Sequence, residues 1–159
     1  MSEQVIQLSL IALLAACVPL TVIDIREHRL PNPITYSAIL VALIGTLLAT
    51  WLNNDWGRFG TALGVNLIVT LIGVALFLLN SLGLGDVKLL ISLNQVLGYV
   101  WPWLVLLSLA VALTTATLYG LARFARRTLK WKDRIAFGPF LIAGYAVCAV
   151  PLIAEPTLY

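Results

Sequence analysis

Apolar residues run along this chain in stretches of about 17–25, separated by short polar punctuation. At about 1.5 Å of rise per residue, a helix of that length crosses the hydrocarbon layer of a bilayer. The first span is expected from about Val5 to Ile25. It ends in Arg26-Glu27-His28-Arg29-Leu30-Pro31-Asn32-Pro33, where two prolines and an asparagine stop a helix and make a turn. The second is expected from about Ile34 to Leu52, broken by Asn53-Asn54-Asp55. The third runs from about Phe59 to Leu79, broken by Asn80 to Asp86. A last span, from about Ile135 to Ile153, follows a basic segment between Arg123 and Arg134. Between them, Val87 to Ala122 makes roughly 54 Å of helix if continuous. It reads either as two spans turning near Gly98 to Pro102 or as one long tilted span with an interfacial piece.

The charges choose between these readings. With two spans in the ambiguous stretch, Arg26, Arg29, Lys88, Arg123, Arg126, Arg127, Lys130, Lys132 and Arg134 all fall on one side, and only Arg58 lies opposite. With one span, the basic segment lands across the membrane from Arg26, Arg29 and Lys88. The positive-inside rule therefore favours an all-α, polytopic transmembrane bundle of about six spans, with both termini outside and the basic loops in the cytoplasm. No internal repeat or second unit is visible, so residues 1–159 are expected to form a single domain.

Composition agrees. The chain is 61% hydrophobic and 11% charged, with a mean hydropathy of +1.00, whereas a soluble domain carries about 25% charged residues. The N-terminal residues hold Glu3 and no Lys or Arg, so the first apolar run is expected to be a retained span and not a secretory signal. Cys17 and Cys148 sit far apart inside apolar runs, which points to packing residues and away from a disulfide or zinc site. The one histidine, His28, has no second His or Cys nearby, and no metal or organic cofactor is expected. There is no P-loop, no Gly-x-Ser-x-Gly elbow and no Cys-His pairing. The basic segment, with Phe124 and Trp131, is read as an anchor to anionic lipid; nucleic acid is not expected as a partner. Trp51, Trp56, Trp101 and Trp103 cluster at the proposed outer ends of spans, as in an aromatic belt.

Of the seven carboxylates, Glu3, Asp55 and Glu155 fall in outer loops or tails, Asp133 in the basic segment and Glu27 in the first turn. Asp24 and Asp86 remain. Asp24 follows Thr21-Val22-Ile23 without a polar break, at the end of the first span. An ionisable residue there is a functional candidate by default; the alternative is a carboxylate snorkelling to Arg26 or Arg29. Asp86 lies in Gly83-Leu84-Gly85-Asp86-Val87-Lys88, opening a helix, where the alternative is that Asp is a good N-cap and the helix N-terminus favours its charge. In the six-span arrangement both aspartates reach the same membrane face. Two neighbouring carboxylates cannot both ionise cheaply and can share a proton. One can then activate water while the other protonates a scissile carbonyl. The helix dipole favours charge at Asp86 and disfavours it at Asp24, which suggests Asp86 as base and Asp24 as acid.

Three stretches together resemble the type IV prepilin peptidase family, membrane aspartic peptidases of the GxGD kind. They are Asp24-Ile25-Arg26-Glu27-His28-Arg29-Leu30-Pro31-Asn32, Gly83-Leu84-Gly85-Asp86-Val87-Lys88-Leu89-Leu90 and Phe137-Gly138-Pro139-Phe140-Leu141-Ile142-Ala143-Gly144. Their order and spacing agree with the family over nearly the whole chain. The resemblance implies that Asp24 and Asp86 are the catalytic pair. It implies that Gly83, Gly85, Lys88, Pro31, Asn32, Gly138 and Pro139 shape the site. The implied substrate is a membrane-anchored prepilin, pseudopilin or preflagellin, whose basic leader is removed at the cytoplasmic face of the cell membrane. Many bacterial relatives carry an N-terminal region with paired C-x-x-C cysteines and also methylate the new N-terminus. This sequence opens on the first span without those cysteines, so it resembles the short peptidase-only members, and methylation is not expected. The competing reading is a non-catalytic membrane subunit or small proton or ion transporter using the two aspartates as a relay. A relay pair belongs near the bilayer midplane, and these two sit at span ends.

Overall fold

The computed structural model of the chain describes residues 1–27, 30–126 and 137–155. These residues form six helices and no strand: α1 (Ser2–Glu27), α2 (Asn32–Asn53), α3 (Trp56–Leu78), α4 (Leu84–Val100), α5 (Pro102–Ala125) and α6 (Gly138–Ala154). Four of them, α1, α2, α3 and α5, are long and apolar enough to cross a membrane. The other two, α4 and α6, have 17 residues each, at the lower limit for a span. His28, Arg29 and most of the basic segment (Arg127, Lys130, Trp131, Lys132, Asp133 and Arg134) lie outside the described residues.

The helix ends follow from local chemistry. Asn54 takes the left-handed conformation (φ 53°) and its N–H reaches back to the Thr50 carbonyl, closing α2. Asp55 then caps α3, its Oδ1 accepting the Arg58 N–H at 3.1 Å. Past the end of α3, Asn80 is again left-handed, at φ 56°. The ambiguous stretch is two helices. Pro102 has no N–H to donate and holds the preceding Trp101 extended, at φ −152° and ψ 124°, so the chain breaks there. Proline also opens α2 and α6, where its missing N–H costs nothing.

The helix α4 forms the centre. It packs against all five others, and thirteen of its 17 residues are buried. A helix buried on every side has no lipid-facing stripe. The surrounding helices do have one, with Leu40, Leu67, Leu71, Leu106 and Leu118 among the exposed apolar side chains. Packing between these helices relies on small residues and polar contacts, because lipid tails compete equally for apolar surface. Gly144 lies so close to the Ser108 carbonyl that no Cβ fits between α6 and α5. Across the centre, Asn66 Nδ2 donates to Gln95 Oε1 at 3.0 Å and to the Ile91 carbonyl at 3.0 Å, and Gln95 Nε2 donates to Thr46 Oγ1 at 3.3 Å. This chain ties α3, α4 and α2 together. Cys17 and Cys148 are both buried and unbridged, and the Cys148 thiol faces the Leu104 carbonyl.

Gln7 Nε2 donates to the Ile153 carbonyl at 2.9 Å, which places the start of α1 beside the end of α6. Successive helices alternate in direction. One end of the bundle therefore gathers the C-terminus of α1 and the N-termini of α2, α4 and α6. Trp51, Trp56, Trp101 and Trp103 are exposed at the other end.

Candidate active site

Three helix ends meet at one point. Asp24 lies in the last turn of α1 and is 4% exposed; Asp86 is the third residue of α4 and is 8% exposed. Gly138, the first residue of α6, stands against both. A Cβ built on it falls 2.5 Å from Asp24 Oδ2 and 3.4 Å from Asp86 Oδ1. The two carboxylate oxygens are therefore no further apart than those two lengths end to end. Residues separated by more than fifty positions along the chain are thus held around a space that only a hydrogen atom of glycine leaves open.

The Asp86 side chain is held from its own segment. Its Oδ2 accepts the Gly83 N–H at 3.2 Å, the reciprocal half of a capping box in which glycine offers only its backbone. A Cβ on Gly83 would come to 3.0 Å of that same oxygen. Gly85 serves a different contact. A Cβ there would stand 2.9 Å from the Leu30 Cβ, so glycine lets the start of α4 settle on the turn that follows α1. Leu30 is buried in this packing.

Lys88, one turn into α4, donates from Nζ to Asn32 Oδ1 at 2.7 Å and lies over the Tyr36 ring at 4.5 Å from its centroid. Both partners are on α2, so the lysine joins the second stretch of the sequence to the first. Pro31 is the extended residue before α2, and its carbonyl accepts the Thr35 N–H at 3.2 Å. Pro139 occupies the first turn of α6. All nine residues singled out from the sequence stand at the same end of the bundle. Asp24, Asp86 and Gly138 meet directly; Gly83 touches Asp86; Lys88 and Asn32 touch each other. Beside them opens a cleft lined by Glu27, Leu30, Pro31 and Asn32.

Leu30 and Tyr36 were missed by sequence reasoning. Leu30 carried no polar signal, although it lies inside the first stretch. Tyr36 follows Asn32 by one helical turn, the spacing that puts both on the face met by Lys88. Among the described residues no group of three His, Cys, Asp or Glu is placed to hold a metal ion.

The profile of the type IV leader peptidase family matches residues 10–121, which includes both aspartates. Two curated relatives, the prepilin leader peptidase/N-methyltransferase of Burkholderia pseudomallei strains 1026b and K96243, are each 28% identical to it over 141 residues. The alignment covers 87% of this chain and 45% of each relative, so the chain spans less than half the length of the curated proteins it matches. No solved structure matches it. With its profile matched over more than half its length, the chain belongs to the type IV leader peptidase family.

Proposed function

We propose that this protein is a membrane aspartic endopeptidase that removes the leader of type IV prepilins, pseudopilins or preflagellins, with Asp24 and Asp86 as its catalytic pair. The observation that carries this reading is the convergence of the two buried carboxylates on Gly138. In the proposed reaction the pair shares one proton. The ionised carboxylate takes a proton from water as the water attacks the scissile carbonyl carbon. The protonated partner gives its proton to the carbonyl oxygen. Collapse of the tetrahedral intermediate breaks the C–N bond, and the amine leaves with a proton from the pair. The helix-end argument assigns Asp86 as the first base and Asp24 as the first acid, though a coupled pair titrates as a unit. Lys88, Asn32, Pro31, Gly83, Gly85, Gly138 and Pro139 hold the surrounding backbone in place.

The membrane setting belongs to the same proposal. Six spans with both termini outside place the pair at the cytoplasmic face of the cell membrane, where a leader is exposed before its apolar stalk enters lipid. A proton or ion relay fits less well, because the pair sits where three helices end and not midway along them.

The test is co-expression with a tagged prepilin, following the leader by mass. Wild type is expected to trim it, and Asp24→Asn and Asp86→Asn each to leave it intact while still accumulating in the membrane. Intact leaders on several prepilins with wild type, or trimming by either variant, refutes the assignment.

A further inference from the structure

A substrate anchored by an apolar stalk must lay that stalk against the bundle in lipid, within a residue or two of the aspartates. The three helices that meet at the pair offer it different surfaces. The helix α4 is buried on every side and shows lipid no face. The helix α1 shows a plain aliphatic stripe of Val18, Val22 and Ile25. The helix α6 shows half-buried Phe140 and, further along the same face, exposed Val147 and Val150.

A row of rings that starts at the pair sets α6 apart. Phe137 directly precedes Gly138, the residue that both carboxylates face. Its ring centroid lies 6.5 Å from that of Phe140, and the Phe140 centroid lies 5.4 Å from that of Tyr119 on α5. Both pairs are tilted, at the separations of packed aromatic rings. Phe137 and Phe140 are backed by the apolar core, whereas Tyr119 is 46% exposed. One turn nearer the end of α5, Arg123 Cζ stands 5.9 Å from the Tyr119 ring centroid, so the row ends at a cation. Aromatic belts at a membrane surface use Trp and Tyr, whose polar edges suit headgroups. Two of these three rings are Phe, which has no polar edge, and they touch in sequence away from the aspartates. The other side of the pair has another character. Around α4 the helices follow in the order α2, α1, α6, α5, each packed on the next. The pair lies where α1 meets α6. Toward α2 opens the cleft whose lining includes polar Glu27 and Asn32; toward α5 runs the aromatic row. A polypeptide with a polar leader and an apolar stalk matches these two surfaces in one direction only.

We propose that the outer edge of α5 and α6 seats the apolar stalk of the substrate, with Phe137, Phe140 and Tyr119 packed on its first residues after the scissile bond. This inference rests on the peptidase reading of the pair and names the surface that holds the substrate for it. Deeper in lipid, Val147 and Val150 face the stalk. The leader leaves across the pair toward the turn between α1 and α2. The rings hold the chain and take no part in bond breaking, so losing one weakens binding and leaves the chemical step intact: KM rises and kcat does not fall.

The experiment uses the full-length chain in vesicles with a tagged prepilin. Cleavage by wild type is measured first. A photoreactive benzoylphenylalanine then replaces Val147 or Val150 on α6, or Val18 or Val22 on α1, in an Asp86→Asn background that is expected to hold the substrate uncut. Crosslinks to the stalk are expected from the two α6 positions and not from the two on α1. In otherwise wild-type protein, Tyr119→Ala is expected to raise KM about fivefold, the order of one aromatic contact, at unchanged kcat. Tyr119→Phe, which keeps the ring, is expected to match wild type. Helical circular dichroism establishes that each variant is folded. Cleavage by wild type together with crosslinks from α1, or with none from α6, overturns this proposal and leaves the peptidase reading standing. An unchanged KM in folded Tyr119→Ala overturns it too and reduces the row to a contact with lipid. Absence of cleavage by wild type refutes the peptidase reading and this proposal with it.

Discussion

The sharpest test of the site geometry is Gly138→Ala. The added methyl carbon falls 2.5 Å from Asp24 Oδ2, 3.2 Å from Asp24 Cγ and 3.4 Å from Asp86 Oδ1. Ordinary carbon contacts need about 3.5 Å, so the Asp24 oxygen must retreat by roughly 1 Å. That move is open to a side chain, so the fold survives. The overpacking costs about 1–3 kcal/mol, partly offset by alanine's better helix propensity. Catalysis is far less tolerant, since a misplacement of about 1 Å in a reacting constellation costs about 10²-fold. The expectation is a folded, membrane-inserted protein whose cleavage rate falls about a hundredfold. The control is Gly60→Ala, a glycine on α3 with nothing within 4 Å of where its Cβ would stand; it is expected to cleave at the wild-type rate. The assay is leader removal from a purified prepilin in detergent or vesicles, normalised to folded enzyme. A Gly138→Ala protein as active as Gly60→Ala would refute the picture of two carboxylates held against this glycine.

Three further outcomes follow from the packing around the pair. Gly85→Ala drives a methyl into Leu30 and is expected to lower both thermal stability and cleavage; Leu30→Ala added to it makes room and restores part of each, so the two changes are non-additive in a melting and activity cycle. Lys88→Met and Asn32→Leu are each expected to reduce cleavage severalfold, and the double variant no more than the worse single one, because the 2.7 Å bond between them is lost either way. Fully independent losses would count against that contact. Gln95→Leu leaves Thr46 and Asn66 without their shared partner in the core and is expected to destabilise the protein by about 1–3 kcal/mol. Denaturation in detergent reads this directly, and an unchanged midpoint would show that the buried bonds contribute little.

Much of this was legible in the sequence because membrane helices end where polar and proline residues force them to. Asn54, Asp55, Asn80 and Pro102 each sit at a break for a nameable reason: a left-handed turn, a cap or a missing N–H. The two aspartates stood out because lipid leaves so few places for an acid. Contacts were another matter. Nothing in the local pattern relates Gly138 to Asp24, or Gly85 to Leu30, since a close approach leaves no trace beyond the absence of a side chain. The central place of α4 did leave a trace. Ser92, Asn94 and Gln95 interrupt its apolar run near the middle, where a lipid-facing helix cannot carry them. Read that way, the polar triplet marks the helix that every other helix surrounds.

That central placement bears on how the proposed catalytic pair can be held at the edge of a lipid bundle. Between helices in lipid there is no hydrophobic contrast to drive association, so close packing at small residues and directional polar contacts do the positioning. A turn of one residue rotates α4 by about 100° and carries Asp86 away from Gly138 altogether. The bonds from Gln95 to Thr46 and Asn66 are directional and are satisfied at one rotation only. They lie nine positions beyond Asp86 in the sequence, roughly 13 Å deeper into the bundle. At the near end Lys88 repeats the arrangement, reaching Asn32 and Tyr36 on α2 from one side. Two polar ties at different depths define a rotation and a height, which a single tie cannot. These ties, the seat of Gly85 on Leu30 and the close approaches at Gly83 and Gly138 together set where Asp86 stands.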